Sequence, residues 1–319
     1  MSLGALAGFA LVFVATAWTA SALGTLALGR ARSRLRRSGP MAERRAAEAA
    51  AIVPVVLGVL VVAALLVQSA VGVDHCDSHG HHAHLCLVHG GMWIERTWVV
   101  VVLAITSVTM LARGVLVVAS LIRGARSIHA LHELSRDAGD VRLVDSERAF
   151  CFVANRTRPT IYVSSRVWSA LPARQREALV AHEAAHVRHG DLRMRAVLEA
   201  FLVFAVPLAG GRIRSTWMHA SERMCDSHAA TVTEPATVAS AMVAMCRLHA
   251  MRPVPTAFAV TPRADELEGR VQAVLVNGPI GDRAARRVAR SVMVGCGAFA
   301  VAVALAAEPL HHAFETLLG

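Results

Sequence analysis

The stretch His182-Glu183-Ala184-Ala185-His186 determines how the rest of the chain is interpreted. Two histidines four residues apart on an α-helix project from one face, about 6 Å apart along the axis, which suits two imidazoles that bind one Zn²⁺. Glu183 follows the first histidine and can take a proton from a water molecule that attacks a substrate. Pro172 and the helix-forming residues after it predict the start of this helix, and Gly190 can end it.

A second segment, Glu222-Arg223-Met224-Cys225-Asp226, completes the candidate metal site. Its two carboxylates also lie four residues apart, so a helix presents both on one face. Two histidines and Glu222 form the three-ligand set of catalytic zinc sites, which keep a fourth position open. Asp226 can accept the N–H of a ligand histidine and fix its tautomer. The alternative is an ordinary helix with two unrelated histidines, and the presence of both segments favours the zinc site.

The composition indicates a membrane protein. Hydrophobic residues make up 55% of the chain and its mean hydropathy is +0.48, which is too apolar for an ordinary soluble domain. The formal net charge is +10, and all 33 basic residues are arginines. These arginines cluster beside apolar segments, where the positive-inside rule explains them, and no nucleic-acid-binding motif is present. We therefore expect a lipid bilayer as a partner and no direct contact with nucleic acid.

Four apolar segments are long enough to cross a bilayer. They are Leu3–Leu28, Ala46–Val73, Val99–Ile122 and Arg287–Ala307. With four crossings, the arginine clusters between these segments all fall on one side, which the positive-inside rule assigns to the cytoplasm. The first cluster, from Arg30 to Arg45, is expected to be a loop between the first two spans. Both chain termini then lie outside the cell membrane. Arg113 interrupts the third segment and needs a partner or a polar cavity, whereas Leu192–Leu208 is too short and too charged to be a further span.

The segment 74–96, between the second and third spans, is external in this topology and rich in histidine and cysteine. Cys76 and Cys86 can form a disulfide that closes a short loop. The histidines between them are His79, His81, His82 and His84. Imidazole and thiolate groups bind Zn or Cu well, so the segment is either a metal or redox sensor or a solvated loop with a structural disulfide.

Ser127–Arg136 is expected to be helical, and short β-like runs lie between it and the motif helix. They are Val141–Val144, Phe150–Val153 and Thr160–Ser164, and polar turns separate them. An edge strand formed by one of them can hold an extended peptide, because strand addition requires only main-chain partners. Tyr162, the one tyrosine of the chain, is expected in the core.

Several segments carry a resemblance to a known family. They are Pro159-Thr160-Ile161-Tyr162-Val163, the helix from Arg176 to His186 with Asp191 beyond it, Glu222–Asp226 and, more weakly, Leu267-Glu268-Gly269-Arg270-Val271. In these residues the chain resembles the BlaR/MecR-type antirepressor peptidases, which are membrane zinc metallopeptidases, and more distantly the HtpX-like membrane peptidases. The resemblance implies an α-helical integral membrane protein with four transmembrane helices. It also implies a mainly α, gluzincin-type zinc peptidase domain with a small β-sheet.

The resemblance assigns roles to matching residues. It implies one Zn²⁺ per chain, bound by His182, His186 and Glu222. It makes Glu183 the general base and gives Asp226 the task of orienting a ligand histidine, preferably His182. The residue that contacts the oxyanion or the substrate stays open among His219, Arg223 and His228. Cys225, between two site residues, is interpreted as a packing residue on another face of the helix.

We divide the chain into three parts. Residues 1–122 form a three-span membrane region with the external loop 74–96. Residues 123–286 form a cytoplasmic zinc metallopeptidase domain. Residues 287–319 form the last transmembrane helix and a short external tail, so we expect no penicillin-binding sensor domain after it. Because the chain has no lysine, the Ser-x-x-Lys acylation motif is absent and direct sensing of β-lactams is not expected.

The leading hypothesis is therefore a membrane zinc endopeptidase that cuts a cytoplasmic protein in signal transduction. The resemblance implies a transcriptional repressor as substrate, with a winged-helix DNA-binding protein as one candidate. One alternative is a non-catalytic or metal-gated sensor that uses the histidine-rich loop. Another is a peptidase that clears damaged membrane proteins. The oligomeric state stays open.

Overall fold

The computed structural model describes residues 3–71, 97–251, 264–277 and 283–306. These residues are mainly helical, with a small mixed β-sheet. The predicted external loop 74–96 lies outside the described residues, together with Cys76, Cys86 and the histidines His79, His81, His82 and His84. Its proposed disulfide and metal binding therefore stay predictions.

Three helices of the described residues are long and apolar enough to cross a membrane. They are α1 (Leu3–Ser38), α2 (Pro40–Val71) and α3 (Thr97–Glu133). Only Gly39, with φ of 106°, separates α1 from α2, and this backbone conformation favours glycine. The two helices form an antiparallel hairpin, in which Phe9 packs with Leu65 at one end and Leu28 with Ala47 at the other.

The arginine-rich segment after the first span was expected to be a loop, and this expectation is wrong. The segment continues α1 as far as Ser38, and α2 already begins at Pro40. Arginine and alanine are among the best helix formers, so the polar ends of both helices extend beyond the apolar spans. Glu43, Arg44 and Glu48 are buried on the α2 side of this extension.

The third predicted span and most of the fourth lie in helices of the described residues. In α3, Arg113 has the partner that the sequence required, since its guanidinium donates to the carbonyl oxygens of Leu202 and Ala205. A further helix, α10 (Arg283–Leu305), includes most of the fourth predicted span, and Val303 packs beside Phe9. The crossing of the membrane by α10 stays a prediction, as does the orientation of all spans.

A four-stranded sheet follows α3 in the order β1-β2-β4-β3. The strands are β1 (Ser135–Asp137), β2 (Arg142–Val144), β3 (Cys151–Ala154) and β4 (Thr160–Ser164). Strands β2 and β4 are parallel, and the other two pairs are antiparallel. Three strands lie where the sequence predicted them, whereas β1 falls at the end of a segment, 127–136, that was expected to be helical. Tyr162 is fully buried, as expected for a core residue.

The remaining helices surround the motif helix. They are α4 (Ser165–Ala170), α5 (Ala173–His189), α6 (Asp191–Leu202), α7 (Ala209–Val232), α8 (Pro235–Met251) and α9 (Ala264–Asn277). One face of α5 packs on the sheet through Leu179 and Val180, and another packs on α7 and α8 through Ala178 and Ala181. The left-handed Gly190, with φ of 66°, ends α5 and turns the chain directly into α6. As expected, α6 is too short to cross a bilayer.

Candidate metal centre

Helices α5 and α7 bring the three predicted ligands together. The Nε2 atoms of His182 and His186 lie 3.6 and 3.5 Å from the two carboxylate oxygens of Glu222. Ligands about 2.0–2.1 Å from a tetrahedral zinc ion lie about 3.3 Å from one another. The three side chains therefore fit a zinc ion with little rearrangement, and their spacing is also short enough for other metals that favour imidazole and carboxylate.

The opposite nitrogen of each histidine is held by a buried carboxylate. The Nδ1 atom of His182 lies 2.9 Å from Oδ1 of Asp226, and the Nδ1 atom of His186 lies 2.6 Å from Oδ2 of Asp191. A histidine that donates Nδ1–H to a carboxylate presents the lone pair of Nε2, which is the atom that faces Glu222 here. The first contact is the one that the resemblance implied, and the second was not predicted.

An arginine holds each of these carboxylates in turn. The guanidinium of Arg270, on α9, donates two hydrogen bonds of 2.7 Å to Asp226. Its remaining nitrogen, Nη1, lies 2.9 Å from Oε2 of Glu222. The guanidinium of Arg44, on α2, is paired with Asp191. Neither arginine was assigned a role from the sequence, although Arg270 lies in the weakest of the segments that carried the family resemblance.

The charges set the protonation of the ligands before any metal binds. Burial by itself lowers the pKa of His182, but hydrogen bonds to Asp226 and Glu222 raise it to about 10. Burial opposes the ionisation of Glu222, yet Arg270 and His182 keep the pKa of this carboxyl well below its usual range. The site is thus a carboxylate facing a protonated histidine, and a divalent cation replaces the proton when it binds.

Glu183 lies on the face of α5 that meets the sheet. Only 8% of the residue is exposed, and its Oε2 accepts a hydrogen bond of 3.0 Å from the backbone N–H of Val153. Burial raises the pKa of Glu183, which the two neighbouring histidines partly counteract. Val153 belongs to β3, an edge strand, and its N–H points away from β4. The carboxylate is therefore fixed between the metal ligands and the outer edge of β3.

Cys225 is buried as expected of a packing residue, but its thiol also contacts the site. Its Sγ lies 3.3 Å from Nδ1 of His186 and 3.9 Å from Oδ2 of Asp191. These three side chains form a second group of possible metal ligands. Burial raises the pKa of the Cys225 thiol, and Asp191 is already paired with Arg44. The group with Glu222 is the better zinc site, because the Nε2 atoms of both histidines face it, whereas the second group offers only Nδ1 of His186, which is already bonded to Asp191.

The three candidates for an oxyanion or substrate contact all lie on α7, and their roles stay predictions. The guanidinium of Arg223 is paired with Glu43 on α2, and His228 is half-buried. His219 lies one turn before Glu222. None of these positions alters the prediction for the ligands themselves.

Comparison with known proteins adds one finding. Residues 133–268 match the model of peptidase family M48, a zinc-dependent and membrane-bound family. The matched region contains the motif helix, Glu222 and Asp226, and it supports a metallopeptidase. No curated protein and no solved structure matches the chain.

Proposed function

We propose that the chain is a membrane-embedded zinc endopeptidase that hydrolyses peptide bonds of a cytoplasmic protein. The observation that carries this proposal is the convergence of two histidine Nε2 atoms on the Glu222 carboxylate, with Glu183 held directly beside them. The match to peptidase family M48 supports the same reaction class. A metal-binding protein without catalysis would have no need for the buried, hydrogen-bonded Glu183.

His182, His186 and Glu222 would hold the zinc ion. When bound, the ion supplies Lewis-acid polarisation of the scissile carbonyl and lowers the pKa of water. Asp226 and Asp191 keep both imidazoles in the tautomer and orientation that present Nε2 to the metal. Such supporting carboxylates commonly matter for metal affinity almost as much as the ligands do.

Glu183 acts as the general base and then as the acid. It takes a proton from the attacking water molecule and delivers it to the nitrogen of the departing amine. Burial raises the pKa of Glu183, and this suits both steps. A carboxylate with an ordinary, lower pKa would hold the transferred proton poorly at neutral pH. The Val153 N–H holds one oxygen of the carboxylate, so the other oxygen is left for the water.

The free edge of β3 is the proposed binding surface for the substrate. Backbone groups in an antiparallel strand alternate in direction, so Cys151 and Val153 turn theirs away from β4, toward the side on which Glu183 lies. The Val153 N–H already holds Glu183, so the groups left for the substrate are the Val153 carbonyl and the backbone groups of Cys151. An extended peptide that pairs with them runs past the catalytic carboxylate, and only its main chain is required for pairing. This mode of binding favours cleavage within a chain.

The proposed cellular role rests on the proposed topology and on the family resemblance. By the positive-inside rule, the arginine-rich helix ends support a site on the cytoplasmic side. The proposed substrate is a cytoplasmic protein, with a transcriptional repressor as the leading candidate, and cleavage would transmit a signal. Broad cleavage of damaged membrane proteins is the competing role.

Elemental analysis of the purified chain is the first test. Wild type is expected to contain about one zinc per chain, and the variant His186→Ala combined with Glu222→Ala is expected to contain none. Glu177→Gln, on an exposed face of the same helix, serves as a control that keeps the zinc. Zinc that survives the loss of both ligands contradicts the assignment and moves the metal elsewhere, for example to the external loop.

Comparison of newly formed protein ends in cells tests the catalysis. Glu183→Gln should bind zinc normally while cleavage falls at least 10²-fold, since a positioned general base contributes about 10²–10⁴. An unchanged set of cleaved proteins would contradict the proposal. One dominant cleaved protein supports the signalling role, and many cleaved membrane proteins support quality control.

A further inference from the structure

We infer that Arg44, on the membrane helix α2, is a positioning residue of the zinc site and acts through Asp191 on the ligand His186. The inference rests on the proposed function and extends the site beyond residues 133–268, the part that matches peptidase family M48. It makes the membrane hairpin α1–α2 a structural component of the active site and gives it a direct route to a zinc ligand.

The side chain of Arg44 is fixed on all sides. It is 5% exposed, its Nε lies 2.9 Å from Oε1 of Glu48, and its Nη2 donates to the carbonyl oxygen of His189 at 3.4 Å. Its guanidinium stacks over the ring of Trp217 at 5.0 Å, and the indole N–H of Trp217 donates to the same Glu48 at 3.1 Å. Such an arginine has one available position, so the carboxylate that it binds is fixed as well.

The carboxylate of Asp191 passes this constraint to the zinc ligand. One of its oxygens is paired with Arg44, and the other lies 2.6 Å from Nδ1 of His186. Because the two oxygens have separate partners, rotation of the carboxylate would break both contacts. The ring of His186 is therefore oriented by a residue that precedes Asp191 by 147 positions.

The part of α2 that carries Arg44 is packed firmly against the peptidase helices. Ala47, Ala50 and Ala51 form a common core with Leu198 of α6 and Ile213 of α7. Glu43 adds a second contact, because it is paired with Arg223, the neighbour of Glu222 on α7. A displacement of α2 in the membrane thus moves the support of a zinc ligand, whereas the sequence-based division assigned the whole site to residues 123–286.

Zinc affinity of the purified full chain, measured by competition with a chelator, tests the inference. Arg44→Ala is expected to weaken zinc binding about tenfold, the lower end of the range for residues that support metal ligands. It should also change the visible spectrum of the Co²⁺-substituted enzyme and lower kcat more than it raises KM. The matched control Arg45→Ala removes a neighbouring arginine that pairs with Glu48 but not with Asp191, and it should leave all three unchanged.

A double-mutant cycle separates positioning from a general loss of folding. If Arg44 acts through Asp191, then Arg44→Gln combined with Asp191→Asn weakens zinc binding no more than Asp191→Asn alone. Arg44→Lys retains the charge but cannot contact Glu48 and Asp191 through separate nitrogens, so an intermediate affinity is expected even if Arg44→Ala does not fold. Additive losses, or wild-type affinity in the folded Arg44 variants, would overturn the inference. Absence of zinc from the wild-type chain would instead refute the proposed function.

Discussion

Each of the two proposed ligand histidines is supported by a carboxylate, an arginine and a second carboxylate, but the two sets end in different places. The α9 set is His182, Asp226, Arg270 and Glu222, and the α2 set is His186, Asp191, Arg44 and Glu48. The α9 set returns to the metal site, because its last carboxylate is the third ligand. The α2 set leaves the site and ends on a membrane helix.

The two sets therefore have different consequences: the α9 set stabilises the metal site, whereas the α2 set connects it to a membrane helix. Disturbing the α9 set affects two ligands together, so the set holds the site as one unit. Disturbing the α2 set affects one ligand and one membrane helix. A protein that answers to events in the membrane can use the second arrangement, since movement of α2 reaches His186 while His182 and Glu222 keep their support.

The largest effect is expected for Arg270→Ala. This change removes the two-bond partner of Asp226, which is 1% exposed, and also the arginine that pairs with Glu222. Loss of one partner of a buried pair costs about 3–5 kcal/mol, and the protonated His182 beside Asp226 keeps the cost at the lower end of that range. Zinc brings positive charge to Glu222 in place of the guanidinium, so adding zinc should raise the melting temperature of the variant more than that of wild type. Thermal unfolding in detergent with and without a chelator measures both.

The control for this change is Arg174→Ala on α5. Arg174 pairs with Glu177 but its side chain is 81% exposed, so less than about 1 kcal/mol is expected. If Arg270→Ala is no more destabilising than this control, the α9 set does not hold the site together.

The next effect is a difference between two isosteric changes. Asp226→Asn and Asp191→Asn each remove one charge beside a ligand histidine, and each should weaken zinc binding about 10–100-fold. The loss should be greater for Asp226→Asn, because Arg270 then shifts its charge toward Glu222 and competes with zinc for that ligand. Chelator competition at fixed pH gives both affinities, and the reverse order would contradict the comparison.

The convergence of the three proposed ligands could be predicted from the sequence, whereas the contacts that support them largely could not. His182, His186 and Glu222 lie in short helical segments whose spacing alone places the side chains on one face. Asp191 lies five residues after His186, and only the left-handed Gly190 turns it back toward the ring. The contacts of Arg44 and Arg270 join residues 147 and 44 positions apart, and no local pattern indicates such contacts.

The fold shows the same division. Long apolar helices and the strands β2, β3 and β4 follow from hydrophobic patterns. The three-residue strand β1 has no such pattern, since it is largely exposed and is formed by pairing with β2. The helical ends at Ser38 and Pro40 were mistaken for a loop because their arginines were judged by charge and not by helix propensity.

The pH dependence of zinc binding should show the effect of the α9 set on the proton of His182. Without metal, the pKa of His182 is raised to about 10, so the folded protein holds a proton there at neutral pH. Zinc requires the neutral ring, and its affinity should rise about tenfold per pH unit below pH 10. The sign for stability is opposite: the raised pKa stabilises the metal-free protein fully below about pH 6.5, and this contribution is lost as pH rises through 10.

Zinc titrations at pH 7 and pH 9, in buffers of different ionisation enthalpy, count the released protons. Asp226→Asn removes the main hydrogen bond that raises the pKa of His182 and should flatten this dependence. Asp191→Asn should leave the contribution of His182 in place. A dependence that is equally steep in Asp226→Asn would mean that the proton does not reside on His182.

The smallest effect is expected where the other membrane helix meets the peptidase domain. At the end of α3, Nδ1 of the exposed His132 lies 3.0 Å from the hydroxyl of Tyr162, on the central strand β4. His132→Ala removes one hydrogen bond and should cost about 0.5–1.5 kcal/mol of stability. Because this contact reaches the sheet and none of the zinc ligands, zinc affinity and the Co²⁺ spectrum should not change. A loss of zinc affinity comparable to that of Arg44→Ala would show that α3 also reaches the site, and the membrane route to the zinc site would then not be particular to α2.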